Sequence, residues 1–163
     1  MSDRAVSRRA WLAALVSGAG IVAAACTSPG SSVLDTPEGR VLQYEGDDVL
    51  VLISGLQPSY RLGDAVHLNV LVNNQSASFI QVRLRAKILG RGDQPVVQAD
   101  PALLEVKSDD ASSVDENLPL GTDLQPGDYT VSVEVPPWKR DGRDFGRGAT
   151  LQAGVRLEAA QGQ

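Results

Sequence analysis

The sequence predicts an all-β fold, an antiparallel β-sandwich of seven to nine short strands that follows an N-terminal signal segment. Three observations carry this expectation. From Gly39 onward apolar and polar residues alternate with a period of two, the pattern of strands with one buried and one solvated face. Turn-forming Gly, Pro, Asn and Asp recur between these runs at short intervals. Beyond the first 25 residues no stretch repeats its apolar positions at the 3.6-residue spacing of a helix.

Read from the N-terminus, the chain opens with Ser7-Arg8-Arg9-Ala10-Trp11-Leu12, continues with 15 mostly apolar residues from Trp11 to Ala25, and reaches Cys26 after three alanines. A spanning helix takes roughly 20 apolar residues. This run is shorter and is diluted by Ser17, Gly18 and Gly20, which fits the hydrophobic region of an export signal. Residues 4–26 resemble a twin-arginine (Tat) export signal joined to a bacterial lipoprotein cleavage box. The resemblance implies that Arg8 and Arg9 direct export and that Cys26 is acylated and becomes the first residue of the mature chain. Ala23 stands where such boxes usually have Leu, and Trp11 where the export motif more often has Phe. An ordinary secretory signal with a chance arginine pair is the plainer alternative.

Cys26 is the only cysteine, so no intramolecular disulfide can form and the core alone must hold the fold. A single myristoyl-sized chain anchors a protein only marginally, and the diacylglycerol that the resemblance places on Cys26 supplies two chains. The expected location is therefore extracytoplasmic, tied by lipid to a bacterial membrane on its periplasmic or outer face. Residues 1–25 are assigned to the signal, 26–38 to a Pro/Gly/Ser-containing flexible linker and 39–160 to the sandwich.

Strand candidates follow at 40–45 and 48–54, then at Val66, Leu68, Val70 and Val72. The clearest run is Phe79 to Leu89, where Ile80, Val82, Leu84, Ala86 and Ile88 alternate with Gln81, Arg83, Arg85 and Lys87. Weaker candidates lie at 95–99, 103–107 and 113–118, and two strong ones at Tyr129 to Val135 and Leu151 to Leu157. Turn signals separate them, among them Glu45-Gly46-Asp47, Asn73-Asn74-Gln75 and Gly90-Arg91-Gly92-Asp93. Leu124-Gln125-Pro126-Gly127-Asp128-Tyr129 and Tyr60-Arg61-Leu62-Gly63-Asp64 resemble strand entries of immunoglobulin-like and fibronectin-III-like domains. The resemblance implies a corner tyrosine, Tyr129, whose hydroxyl bonds back to the backbone a few residues upstream.

Composition excludes several functions. Without residues 1–25 the chain carries 12 basic and 19 acidic residues, a net charge of −7 that disfavours nucleic acid and anionic lipid. One histidine, no methionine and no free thiol in that part leave haem, blue-copper and structural zinc sites without ligands. No cofactor and no metal are expected. His67 falls on the outward phase of its strand and reads as plain surface rather than a triad member. Asp109, Asp110, Asp115 and Glu116 could offer oxygens to Ca²⁺, but the 109–116 spacing is not an EF-hand loop and a solvated acidic loop is the plain reading.

Pro136-Pro137 stops a strand, and residues 138–148 then hold four basic and two acidic residues. Trp138, Lys139, Arg140, Arg143, Phe145 and Arg147 are the candidate partner-binding residues, since Trp, Phe and Arg are common interface anchors. The competing reading has Trp138 and Phe145 folding back to cap the core. The function expected from the sequence is a non-enzymatic, lipid-anchored binding or accessory subunit of a cell-envelope protein complex, with a small-ligand or glycan-binding module as the alternative.

Overall fold

A computed structural model of the chain describes residues 30–160. The export signal, with Arg8 and Arg9, and the lipidation candidate Cys26 lie outside the described residues. In chain order the strands are β1 (Ser31–Thr36), β2 (Gly39–Gly46), β3 (Val49–Leu56), β4 (Ser59–Arg61), β5 (Ala65–Asn74), β6 (Ile80–Leu89), β7 (Pro95–Gln98), β8 (Ala102–Val106), β9 (Asp110–Pro119), β10 (Gly127–Val135), β11 (Trp138–Arg140), β12 (Arg143–Phe145) and β13 (Ala149–Glu158). One sheet has the order β1-β2-β3-β5-β9 and the other β12-β11-β6-β10-β13-β4, with β7 and β8 on the far side of β6. All pairs are antiparallel except β4, which runs parallel to β13. The all-β expectation holds, and every strand candidate from 40–45 onward is a strand.

The count is thirteen, above the seven to nine expected, because prolines and glycines break longer strands. Pro58 separates β3 from β4 as the chain crosses from the first sheet to the second, and Pro101 separates β7 from β8. β10 and β11 both lie along β6, and Pro136-Pro137 between them shifts the register by one residue. Proline cannot donate to a ladder, so each break sits where a donor is missing.

The N-terminal boundary also moves. Residues 31–36 pair with β2 along their whole length, Ser31 opposite Tyr44 and Thr36 opposite Gly39. The domain therefore begins at Ser31, and of the linker expected over 26–38 only residues 26–30 precede it. Ser-Ser-Val-Leu-Asp-Thr buries Val33 alone, so it lacks the alternation that marks the other strands.

Both sheets turn their apolar faces to one core. Val51, Ile53, Leu68 and Val70 from the first meet Ile80, Val82, Leu84, Ile88 and Leu151 from the second, all nearly inaccessible. Asn74 closes one end. Expected in a turn, it is instead the buried last residue of β5. Its Nδ2 donates to the carbonyls of Ser78 (2.7 Å) and Lys107 (2.9 Å), and its Oδ1 accepts from the Ser76 amide (3.0 Å) and hydroxyl (2.7 Å).

At the start of β10 the Tyr129 hydroxyl donates to the Gln125 carbonyl at 2.7 Å. The bond lies at the surface, where water can replace it. Tyr129→Phe is therefore expected to destabilise by about 0.5–1.5 kcal/mol, read as a shift of the urea midpoint, and an unchanged midpoint would show that the hydroxyl contributes nothing.

Candidate functional site

The segment expected to be a loop is an ordered hairpin. β11 and β12 pair through Trp138 opposite Phe145 and Arg140 opposite Arg143. Asp141 and Gly142 connect them with φ of 48° and 79°, the left-handed pair of a two-residue hairpin turn. Asp-Gly between Trp-Lys-Arg and Arg-Asp-Phe was the available sequence signal for this turn.

Trp138 is 1% exposed. Its indole meets Tyr44 edge to face, ring centroids 6.3 Å apart at 73°. Gly146 lies flat against the ring, so a Cβ at that position would overlap it. Trp138 thus caps the core, which corrects its assignment as a partner-binding residue. Arg140 is also committed within the fold. Its guanidinium carbon lies 3.6 Å from the Phe145 centroid, and its Nη2 donates to the Asp47 carbonyl (3.2 Å) and Asp48 Oδ2 (3.3 Å). The Arg147 amide donates to Asp47 Oδ2 at 3.2 Å.

These contacts clamp the β2–β3 turn, whose Asp47 and Asp48 both take positive φ, 51° and 60°. Burial, with Asp47 adding to it and Arg147 opposing, raises the Tyr44 hydroxyl pKa above its ordinary value. Trp138 Nε1 and Arg140 Nε are buried without a hydrogen-bond partner among the described residues. Of the remaining candidates Lys139, Arg143, Phe145 and Arg147 are exposed, and Lys139, Arg143 and Arg147 form no ion pair among the described residues. Beside the hairpin base lies an open depression of about 300 Å³, bordered by Glu134, Pro136, Pro137, Arg147 and Thr150.

The outward face of β6 presents a second set of groups. Arg83 and Arg85 are exposed and without ion-pair partners among the described residues, whereas Lys87 is held by Glu134 of β10. Leu103, on β8 directly opposite Arg83, is 54% exposed, an unusual solvation of a large aliphatic group in a sheet. Gln81 and Glu105 beside them bond to each other at 2.9 Å.

The acidic segment 109–116 is mostly edge strand rather than loop. Asp115 points outward and accepts from Asn69 Nδ2 at 2.8 Å, while Glu116 points into the sandwich opposite Leu68. The acids do not converge, and no group of three or more potential metal ligands occurs among the described residues. Glu116, grouped with the solvated acids in the sequence reading, is instead buried. Burial, reinforced by Asp100, raises its carboxyl pKa above the ordinary range. The signal was present in the inward phase Val114, Glu116, Leu118. His67 is exposed on the outer face of β5.

No protein-family model matches the chain, and no curated protein matches it in sequence. Among solved structures it is similar to a β-glucosidase from Listeria innocua, with TM-score 0.51 and 15% identity over 68% of this chain and 16% of the other. It is also similar to a family 123 glycoside hydrolase from Clostridium perfringens, with TM-score 0.51 and 11% identity over 69% of this chain and 28% of the other. A Pseudomonas fluorescens alkylpurine DNA glycosylase follows at TM-score 0.45 and 13% identity, over 71% of this chain and 32% of the other. The chain thus spans less than a third of each of these proteins, and at such identity the likeness to the two glycoside hydrolases is one of fold. These comparisons correct the expectation of a subunit dedicated to an envelope complex, and they are compatible with a binding module. The fold recurs as one part of larger glycoside hydrolases, and nothing in it points to an envelope assembly.

Two outcomes check the site. Trp138→Ala should cost about 3–5 kcal/mol of stability, and the emission of Trp138 should be blue-shifted and resist acrylamide; red-shifted, quenchable emission would contradict the burial. Glu116 has a folded pKa above its unfolded one, so its stabilising contribution is present below the unfolded value and is lost as pH rises through the folded value. Glu116→Gln should then raise the urea midpoint at pH 7 and flatten the decline from acid to neutral pH. A lower midpoint at pH 7 would refute the assignment.

Proposed function

We propose that this chain is an exported lipoprotein whose sandwich, of the immunoglobulin-like or fibronectin-III-like type, is a binding module and not a catalyst. Residues 1–25 serve as the twin-arginine signal, Cys26 carries the lipid, and residues 31–160 form the module. The Tyr129 to Gln125 bond supports the type, since a corner tyrosine bonding a few residues upstream is a feature of such domains.

The contact surface is the outward row of β6. The observation that carries this is the placement of Arg83 and Arg85, exposed, without ion-pair partners among the described residues and adjacent to the exposed Leu103, on a domain whose net charge is −7. Two free guanidinium groups beside an apolar side chain suit an acidic protein segment that also offers an apolar residue. Guanidinium forks bind carboxylates bidentately, and such complementarity sets specificity and encounter rate. The overall acidity argues against a nucleic-acid partner.

Replacing both arginines tests this. Arg83→Glu with Arg85→Glu should abolish binding of the domain to a synthetic acidic peptide that carries two Glu and a Leu, and wild-type binding should weaken as salt is raised. The unfolding midpoint should shift by less than about 0.5 kcal/mol, as exposed substitutions do. A double variant that still binds the peptide would remove the row from consideration.

A further inference from the structure

We infer that the end of the sandwich built by the β11–β12 hairpin lies against the membrane that carries the anchor, with Lys139, Arg143, Phe145 and Arg147 turned to the lipid headgroups. The inference rests on acylation of Cys26 as proposed above.

The path of the chain supplies the argument. The Gly30 carbonyl accepts from the Glu45 amide at 3.1 Å, and β1 then starts with Ser31 opposite Tyr44. Tyr44 is the residue that meets Trp138, and the adjoining Asp47-Asp48 turn is clamped by Arg140 and Arg147. The chain therefore enters the domain beside the hairpin. Cys26 and Gly30 are only four residues apart, a distance of at most about 14 Å when fully extended. β6, with ten residues, is about 33 Å long, so only one end of the sandwich can stay at the membrane surface. Ile80 and Gln81, at the start of β6, pair with β11, and the Arg91–Asp93 turn after its last residue marks the other end.

The hairpin suits this position. Phe145 is 38% exposed beyond the capped core, and apolar rings on interfacial segments are buried at the headgroup and acyl boundary. Lys139, Arg143 and Arg147 carry cations with no ion pair among the described residues, and anionic lipid attracts such groups near its surface. Asp141 and Asp144 share the hairpin, and Asp47, Asp48, Asp109 and Asp110 lie at the same end, so the position is fixed by the tether and the cations act only where they stand on the hairpin.

Spin labels read the orientation in the full chain. With the Cys26 thiol acylated, Asp144→Cys or Lys139→Cys labels the hairpin end and Gln94→Cys the opposite end. Each variant is extracted from bacterial membranes and reconstituted in phosphatidylglycerol-containing vesicles with a nickel-chelating lipid. Labels at 139 and 144 should relax at least several-fold faster than the label at 94. Equal relaxation, or faster relaxation at 94, in a protein whose mass spectrum shows acylated Cys26 would overturn the orientation alone. An unmodified Cys26 in protein washed free of membranes would overturn the anchor and the orientation together.

Discussion

One constraint governs this chain: two sheets must share a single apolar core, and with one cysteine no disulfide can replace any part of it. Each long strand therefore keeps strict alternation, because a slip of one residue would turn its apolar set to water. Ile80, Val82, Leu84, Ala86 and Ile88 show the consequence, all nearly inaccessible while Arg83 and Arg85 between them are exposed. Pro58 sits where the chain passes from the first sheet to the second, and Pro101 and Pro136-Pro137 interrupt strands that continue along β6, because proline has no donor to give a ladder.

The same constraint explains Trp138. The inward phase Val131, Val133, Val135 continues to Pro137 and Lys139, which would leave Trp138 facing solvent. The one-residue register shift at the two prolines reverses the phase and brings the indole inward against Tyr44. Gly146, at φ 76°, is what lets the returning strand approach the ring. The Arg140 and Arg147 contacts then hold Asp47 and Asp48 in left-handed conformations that non-glycine residues seldom adopt, so one end of the sandwich stands or falls as a unit.

What could be read from the sequence was whatever alternates. Strands β5, β6, β10 and β13 announce themselves because five or so consecutive pairs repeat the pattern, and weaker runs at β2, β3, β7, β8 and β9 sit between clear turns. β1 buries only Val33, β4 is three residues long, and β11 and β12 owe their pairing to the Asp141-Gly142 turn rather than to apolar content. Of the hairpin candidates, side-chain identity alone could not separate Trp138, which caps the core, from Phe145, which is exposed, because the two lie opposite each other on one face and only the position of β12 as the outer edge strand leaves Phe145 beyond the core. Asn74 was only half legible: Asn favours turns through local bonds, which Oδ1 makes here with Ser76, but Nδ2 also reaches the Val106 and Lys107 carbonyls on a distant segment.

The division of labour among side chains bears on what the domain can recognise. Trp138 is spent on the core and Arg140 on the clamp, so the large interface-forming groups at that end are mostly internal. The β6 face is different, because Arg83 and Arg85 form no ion pair among the described residues and can be engaged without disturbing the fold. Arg83 and Arg85 are alternate residues of one strand, and so stand about 7 Å apart along it. Carboxylates two residues apart on an extended segment have the same spacing, which suits the extended acidic segment proposed above.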